Sequence, residues 1–259
     1  MIKLFLIVLY KEKILTCKTF LSLKKNNLFL NEHNKFIIWD NSPTAINTVD
    51  DCRILAGTEN IDFYHTPDNL SLSKIYNFVI KNHEADLYCI FDQDSEITRS
   101  DYDTYLDEMI YQNPNINVFL PQIYSNESLY SPGRFWIFKG SHYIDIKSGI
   151  HEDKKYTAIT SGMCIRKKVF WEKNIWFNED LQLYGIDTCF FNTYRKIDKK
   201  FFVLDMVMNH DLSQDSLTPE LRKLRVRNYY KCLLKTENNI VYKVIILMYM
   251  GFCKMLRKI

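Results

Sequence analysis

Apolar and polar positions in this chain alternate between two periods over its first ninety residues. Leu4–Leu9 is a continuous apolar run, as a strand covered on both faces requires. A helix-like stretch follows around Ile14–Leu23. Phe36–Trp39 reads as a second strand, stopped by the four turn formers Asp40-Asn41-Ser42-Pro43. Ile61–Tyr64 is a third strand. Leu72, Ile75, Tyr76, Val79 and Ile80 then form the stripe of an amphipathic helix. Leu87–Phe91 is a fourth strand and runs directly into Asp92-Gln93-Asp94. The alternation predicts an α/β fold with a mainly parallel central sheet flanked by helices. Ligands of such sheets sit beyond the carboxyl ends of the strands. Tyr10, Asp40, Asp92 and Asp94 all fall there.

The second half is less regular. Tyr102, Tyr105, Leu106, Met109 and Ile110 share one helix face, and a strand follows near Asn117–Gln122. Ser125–Asp153 reads as loop-rich and aromatic. A strand near Met163–Arg166 precedes the acidic loop Asn178–Asp180. A helix striped at 186, 189, 190, 193, 194 and 197 and a short strand at Phe201–Leu204 lead to Asn209-His210-Asp211. The spacing divides the chain into a body, 1–215, and a helical segment, 216–259. Within the body, 1–94 and 95–215 form two halves.

Composition narrows the chemistry. With 47% hydrophobic and 15% aromatic residues the chain can bury a core, which excludes disorder. Its seven glycines include neither GxGxxG nor GxxxxGK, so the Rossmann and Walker phosphate cradles are absent. The seven cysteines are scattered without a CxxC pair, which favours neither zinc nor a disulfide framework and points to a reducing compartment. MIKLFLIVLY is followed by charged KEK where a cleavage site would need small residues, so it reads as a buried strand. The net charge is +3, yet Leu221–Ile259 alone carries +9 against −6 for the rest. Such a tail, with Tyr229, Tyr230, Tyr242, Tyr249, Phe252 and an apolar run from Val244, is expected at an anionic membrane surface. It is too short to span a bilayer and has no recognised nucleic-acid motif. The competing expectation is that its apolar residues pack on the body or join two copies of the chain.

Asp92-Gln93-Asp94 is weak as a bare pattern, since Asp101-Tyr102-Asp103 repeats it. The second copy opens a helix after Ser100, where acids serve the cap and the dipole. The first closes a strand, and there two carboxylates two residues apart would project to one side of an extended chain. Oxygen-only ligands of this kind suit Mn²⁺ or Mg²⁺. A solvated turn is the plainer explanation.

The order of these features adds to the case. A strand ending in Tyr10, a strand ending in Asp40, a helix start DNLSLSKIYN, and then FDQDS, SGMCIRKKVF and LYGIDTCFFNTYRK together resemble family 2 glycosyltransferases of the GT-A fold. Their detail is similar to the bacterial rhamnosyltransferase-type branch, over roughly residues 3–212. The family's glycine after the Asn at 69 is replaced here by Leu70-Ser71. The resemblance implies a Rossmann-like GT-A catalytic body, with 1–94 as its nucleotide-binding half and 95–215 as its acceptor half. It gives Tyr10 and Asp40 to the nucleobase and ribose, with Asn69 and Asn77 near the donor pocket. It places Asp92 near the donor sugar or ribose and at the metal, and gives Asp94 and His210 to the metal. Asp187 falls at the catalytic base. Each residue has a plainer role open to it: an Asx turn for Asp40, packing for Tyr10, a helix N-cap for Asn69, and a dipole-favoured acid for Asp187.

The expected reaction is an inverting, metal-dependent transfer of a sugar from a nucleotide-sugar donor to a glycan or lipid-linked acceptor. The resemblance favours dTDP-rhamnose and bacterial surface polysaccharide synthesis such as O-antigen. A hexosyl or N-acetylhexosaminyl transferase using a UDP-sugar is the alternative within the enzyme class, and an inactive nucleotide-binding scaffold is the alternative outside it. The expected location is cytoplasmic, peripheral to the inner face of the membrane, and a homo-oligomer is open.

Overall fold

The computed structural model describes residues 1–125, 128–136, 139–143, 145–181, 185–209, 218–237 and 239–255. Its first half runs β1 (Lys3–Leu9), α1 (Lys18–Lys25), β2 (Asn34–Asp40), α2 (Val49–Ala56), β3 (Ile61–His65), α3 (Leu72–Asn82), β4 (Leu87–Asp92), β5 (Glu96–Ile97) and α4 (Tyr102–Gln112). Then come β6 (Val118–Ser125), β7 (Ser128–Ser131), β8 (Gly133–Trp136), β9 (Lys139–His142), β10 (Gly149–Glu152), β11 (Tyr156–Thr157) and β12 (Met163–Arg166). The chain continues through α5 (Lys168–Trp171), α6 (Ile186–Tyr194), β13 (Lys200–Asn209), α7 (Pro219–Thr236) and α8 (Ile240–Met255).

The main sheet has the order β10-β13-β6-β12-β4-β1-β2-β3, with β5 paired to β13 and β7 to β6 beside that path. Along that path only β10 and β12 run against the rest, so the sheet is mainly parallel as expected. Strand β12 lies between β4 and β6, which joins the two halves of the body in one sheet. β1 is buried along its whole length. Its alternate residues feed two cores: Leu4, Leu6 and Val8 face α3, α5 and α6, while Phe5, Ile7 and Leu9 face α1, α2 and α4. The period of two thus assigns one strand to two layers of helix.

Two stretches differ from the sequence pattern. Helix α2 has little apolar stripe, and its ends are fixed by other means. Thr48 and Asp51 close a reciprocal capping box, and Gly57 ends the helix at φ 76°. Ser125–Asp153, expected to be loop-rich, contains four strands, and β8 and β9 join β11 in a separate three-stranded sheet. The polar KGSH of β9 carries no alternation that could reveal it.

The second acidic pair does other work than capping. The Asp101 side chain makes no bond to the N-terminus of α4 and instead pairs with Arg99 at 2.7 Å. Asp103 receives the ammonium of Lys3 at 2.6 Å, and Asp107 receives it at 2.7 Å. Asn31 and Asn34 also donate to Asp103, at 2.7 and 3.0 Å. The Lys3 side chain is 0% exposed, so its charge depends on these partners.

Helix α7 packs on α6. Tyr230, Cys232 and Leu233 are buried, and the Tyr229 ring lies edge-on to Phe135 at 5.3 Å. Helix α8 rests on α7 through Ile246, which joins Phe135, Tyr230 and Leu233 in a small cluster of its own.

Replacing Lys3 with Met should destabilise the fold by about 3 kcal/mol, because two carboxylates lose their buried counter-ion. Urea unfolding checks this, and an unchanged midpoint would show that the pair contributes nothing net.

Candidate functional site

The site is organised around the turn that follows β4. The strand ends at Asp92, and Gln93 and Asp94 lie in a tight turn rather than continuing the extended chain. The expected same-side projection from a strand therefore does not apply, and the turn itself must set the direction of the carboxylates. It is held from two sides. On one, the Thr19 hydroxyl of α1 donates to the Asp92 carbonyl and accepts the Ser95 N–H at 2.9 Å. The Thr19 N–H reaches the Gln93 carbonyl at 3.2 Å. On the other, the Ser161 hydroxyl accepts the Asp92 N–H at 3.0 Å and bonds the Ser95 hydroxyl. The Gln93 side chain accepts the Tyr10 N–H at 2.7 Å, tying the end of β1 to the same turn.

Ser161 reaches this position because Gly162 follows it. Gly162 adopts φ +76° and donates its N–H to the Ile90 carbonyl at 2.7 Å. A Cβ there would lie 2.6 Å from Met208 Sδ and 2.7 Å from Pro121 Cγ, so only glycine fits. The serine and glycine of SGMCIRKKVF are thus the support of the acidic turn.

Each residue singled out in the sequence has a definite place. Asp92 and Asp94 are half-buried in the turn. Asp187 occupies the first turn of α6, where it accepts the Thr188 N–H at 2.7 Å. Tyr76 brings these elements together, although the sequence showed it only as part of the α3 stripe. Its phenol is buried, which pushes its pKa well above the ordinary tyrosine value, and the charges of Asp92 and Asp187 raise it further.

Tyr10 stands at the end of β1 with 40% of its surface exposed, and the Lys11 ammonium lies 5.2 Å from its ring centre. Asp40 is 0% exposed. Its oxygens accept the N–H groups of Ser42 and Ile46, both at 3.1 Å, and the Asn47 amide at 3.4 Å. Asp40 therefore makes the Asx turn that was its plainer alternative, and shapes the loop beneath Tyr10. Asn69 is exposed with φ 45° and accepts from the Asn41 amide at 3.0 Å. The N-cap of α3 is Ser71, not Asn69. Asn69 itself takes the left-handed conformation, which Asn tolerates better than most residues. Asn77 is buried away from the loop and clamps the acidic segment: it donates to the Phe177 carbonyl at 2.9 Å and to Glu179 at 2.8 Å. His210 lies outside the described residues.

Among the described residues no group of three or more His, Cys, Asp and Glu side chains gathers around one point. Two carboxylates on a fixed turn remain, and oxygen donors of that number suit Mg²⁺ or Mn²⁺, which complete their shell with substrate phosphates and water.

Comparison with solved structures decides the architecture. TarS 1–349 of S. aureus superposes with a TM-score of 0.58 at 15% identity, covering 95% of this chain and 69% of TarS 1–349. The chain has the GT-A fold. TarS 1–349 in complex with UDP-GlcNAc gives 0.59 at 14% identity, over 95% of this chain and 70% of the other. GalNAc-T7 with UDP, GalNAc and Mn²⁺ gives 0.63 at 13% identity, over 90% of this chain and 47% of GalNAc-T7. No protein-family model and no curated protein sequence matches the chain. Tyr10 and the acidic turn follow the carboxyl ends of the adjacent parallel strands β1 and β4, the end at which open α/β sheets generally bind ligands.

Replacing Ser161 with Ala should cost about 1–3 kcal/mol in urea unfolding, because the Asp92 N–H and the Ser95 hydroxyl lose a buried partner. An unchanged stability would mean that Thr19 alone holds the turn.

Proposed function

We propose that the chain is a glycosyltransferase that moves a sugar from a nucleotide-sugar donor to a hydroxyl of a glycan or lipid-linked acceptor. The observation that carries this reading is the bonded acidic turn at the carboxyl end of β4 in a GT-A sheet, with Asp187 in the first turn of α6. TarS with UDP-GlcNAc and GalNAc-T7 with UDP and Mn²⁺ support a nucleotide-sugar donor and a divalent cation. They favour a UDP-sugar, the alternative within the enzyme class, over dTDP-rhamnose as the first donor to test.

In the proposed reaction the exposed Tyr10 ring stacks on the base, and Asp94 with Asp92 holds Mn²⁺ or Mg²⁺. The cation would neutralise the charge that grows on the departing diphosphate. Asp187 accepts the proton of the acceptor hydroxyl as its oxygen attacks the anomeric carbon from the face opposite the leaving group. The N-terminus of α6 favours the charged form of that base. The fixed turn means that the carboxylates need no reorganisation when the donor arrives. The strands and loops of 125–153 supply the acceptor surface.

A thermal-shift screen of UDP and dTDP, each with and without Mn²⁺, tests donor binding, since a ligand that binds only the folded state raises its melting temperature. A cation-dependent shift with UDP is expected, and no shift with either nucleotide overturns the reading. Asp94→Asn should keep the fold and abolish cation-dependent donor hydrolysis; near-normal turnover in saturating Mn²⁺ would remove Asp94 from the metal site. Asp187→Asn should keep donor affinity and lower transfer by about 10²–10⁴-fold. Loss of donor binding in that variant would move Asp187 into the donor pocket.

A further inference from the structure

Helix α8 inverts the usual arrangement of a surface helix. Its inner side is small: Ile246 and Cys253 are buried, and Met250 packs beside them against α7. Its outer side should be polar and is not. Val241, Ile245, Met248, Phe252 and Met255 follow one another at helical spacings of three and four with Val244 beside them, and all are exposed, with Met248 at 71% and Phe252 at 52%. The only charged residues of the helix are Lys243 and Lys254. Exposed apolar area that is continuous over four turns calls for a partner.

The charges beside it identify that partner. On α7, Lys223, Arg227, Lys231 and Lys235 are spaced by four and all are exposed, so they form one basic strip along the helix. Lys235 is engaged by Asp180, and the single acid of α7 is Glu220 at its start, three residues before Lys223, so Arg227 and Lys231 have no acidic neighbour on the helix within one turn. The segment from Leu221 to Ile259 carries +9, with Glu237 as its single acid. A second copy of the chain seated on α8 would set +9 against +9. An anionic lipid surface offers acyl chains to the apolar side and negative headgroups to the basic strip. The 16 residues of α8 extend about 24 Å, less than the ~30 Å hydrocarbon core. Among the described residues no helix is long and apolar enough to cross a membrane. We propose that α8 lies in the plane of an anionic bilayer surface, its outer face among the acyl chains, with the basic strip of α7 against the headgroups.

This inference stands apart from the proposed reaction, and its test uses no activity. The full chain is sedimented with vesicles of phosphatidylcholine containing phosphatidylglycerol and with vesicles of phosphatidylcholine alone. Binding to the anionic vesicles is expected, weakening as salt rises. Met248→Glu with Phe252→Glu should abolish it at an unchanged melting temperature. Lys223→Gln, Arg227→Gln and Lys231→Gln together should weaken it about tenfold or more, because each loses an attraction to the leaflet. Phe252→Trp gives a second readout that does not disturb the fold: lipids brominated in the acyl chain should quench it beyond the wild-type signal. Failure of the full chain to bind anionic vesicles overturns the proposal. So does equal binding by the glutamate variant. A wild-type dimer in light scattering that falls to a monomer in that variant, without vesicle binding, would make a second copy the occupant.

Discussion

The hydroxyls of Ser161 and Thr19 bracket the Asp92–Ser95 turn, and the chemistry proposed for this chain depends on that bracket. Two carboxylates two residues apart repel each other, and a free turn would relieve the repulsion by swinging them apart. Here the backbone on either side of Gln93 is bonded to a helix start and to a glycine-supported serine. The cost of holding like charges together is met by folding and not by ligand binding. The bracket also joins parts far apart in sequence: Thr19 and Ser161 lie 73 and 69 residues from Asp92 and meet it because β1, β4 and β12 are neighbours in one sheet.

Most of the fold was legible where side-chain periodicity reports burial. The strands at Leu4–Leu9 and Leu87–Phe91 and the helices of Leu72–Ile80 and Tyr102–Ile110 were visible because each buries a face that repeats every two or every 3.6 residues. Helix α2 was hidden because its stability lies in its caps, Thr48 with Asp51 and Gly57, and not in a stripe. The small sheet β8-β9-β11 was hidden because Gly140, Ser141 and Lys139 carry no alternation. Elements held by backbone and capping bonds leave a fainter trace in sequence than elements held by a core.

For the site the division is different. The acidic turn and Asp187 could be named because charged residues at the ends of apolar elements stand out. What each polar residue bonds to could not. Asp40 and Asn77 share the residue types of ligand contacts, yet the fold uses the first to make a turn and the second to clamp Phe177 and Glu179. Tyr76 failed to stand out for the opposite reason: as one aromatic in a stripe it looked like core, and only the tertiary structure exposes its buried phenol to the charges of Asp92 and Asp187. Ser161 was inside a quoted motif, but its partners lie 66 and 69 residues away.

The tail shows how a composition argument becomes mechanical once the helices are placed. Charge alone treated 221–259 as one unit. In the structure α7 packs on α6, and α8 rests on α7 through Ile246 with its other side exposed. The join is close: a Cβ on Gly185 would meet Tyr229 Cα at 3.5 Å and Cys232 Cβ at 3.8 Å. Gly185, at φ +83°, is the N-cap of α6, two residues before Asp187. Cys189, one turn further, is hydrogen-bonded to Cys232, which holds its thiol pKa below the ordinary value. Asp180, in the loop before α6, pairs with Lys235. Contacts before, at and after the start of α6 therefore all lead to α7. A force that fixes α8 and α7 at a surface would act through these contacts on the helix that carries Asp187. In the proposed reaction, the acceptor base would keep a constant height above that surface, which suits an acceptor whose own reach is set by a lipid anchor.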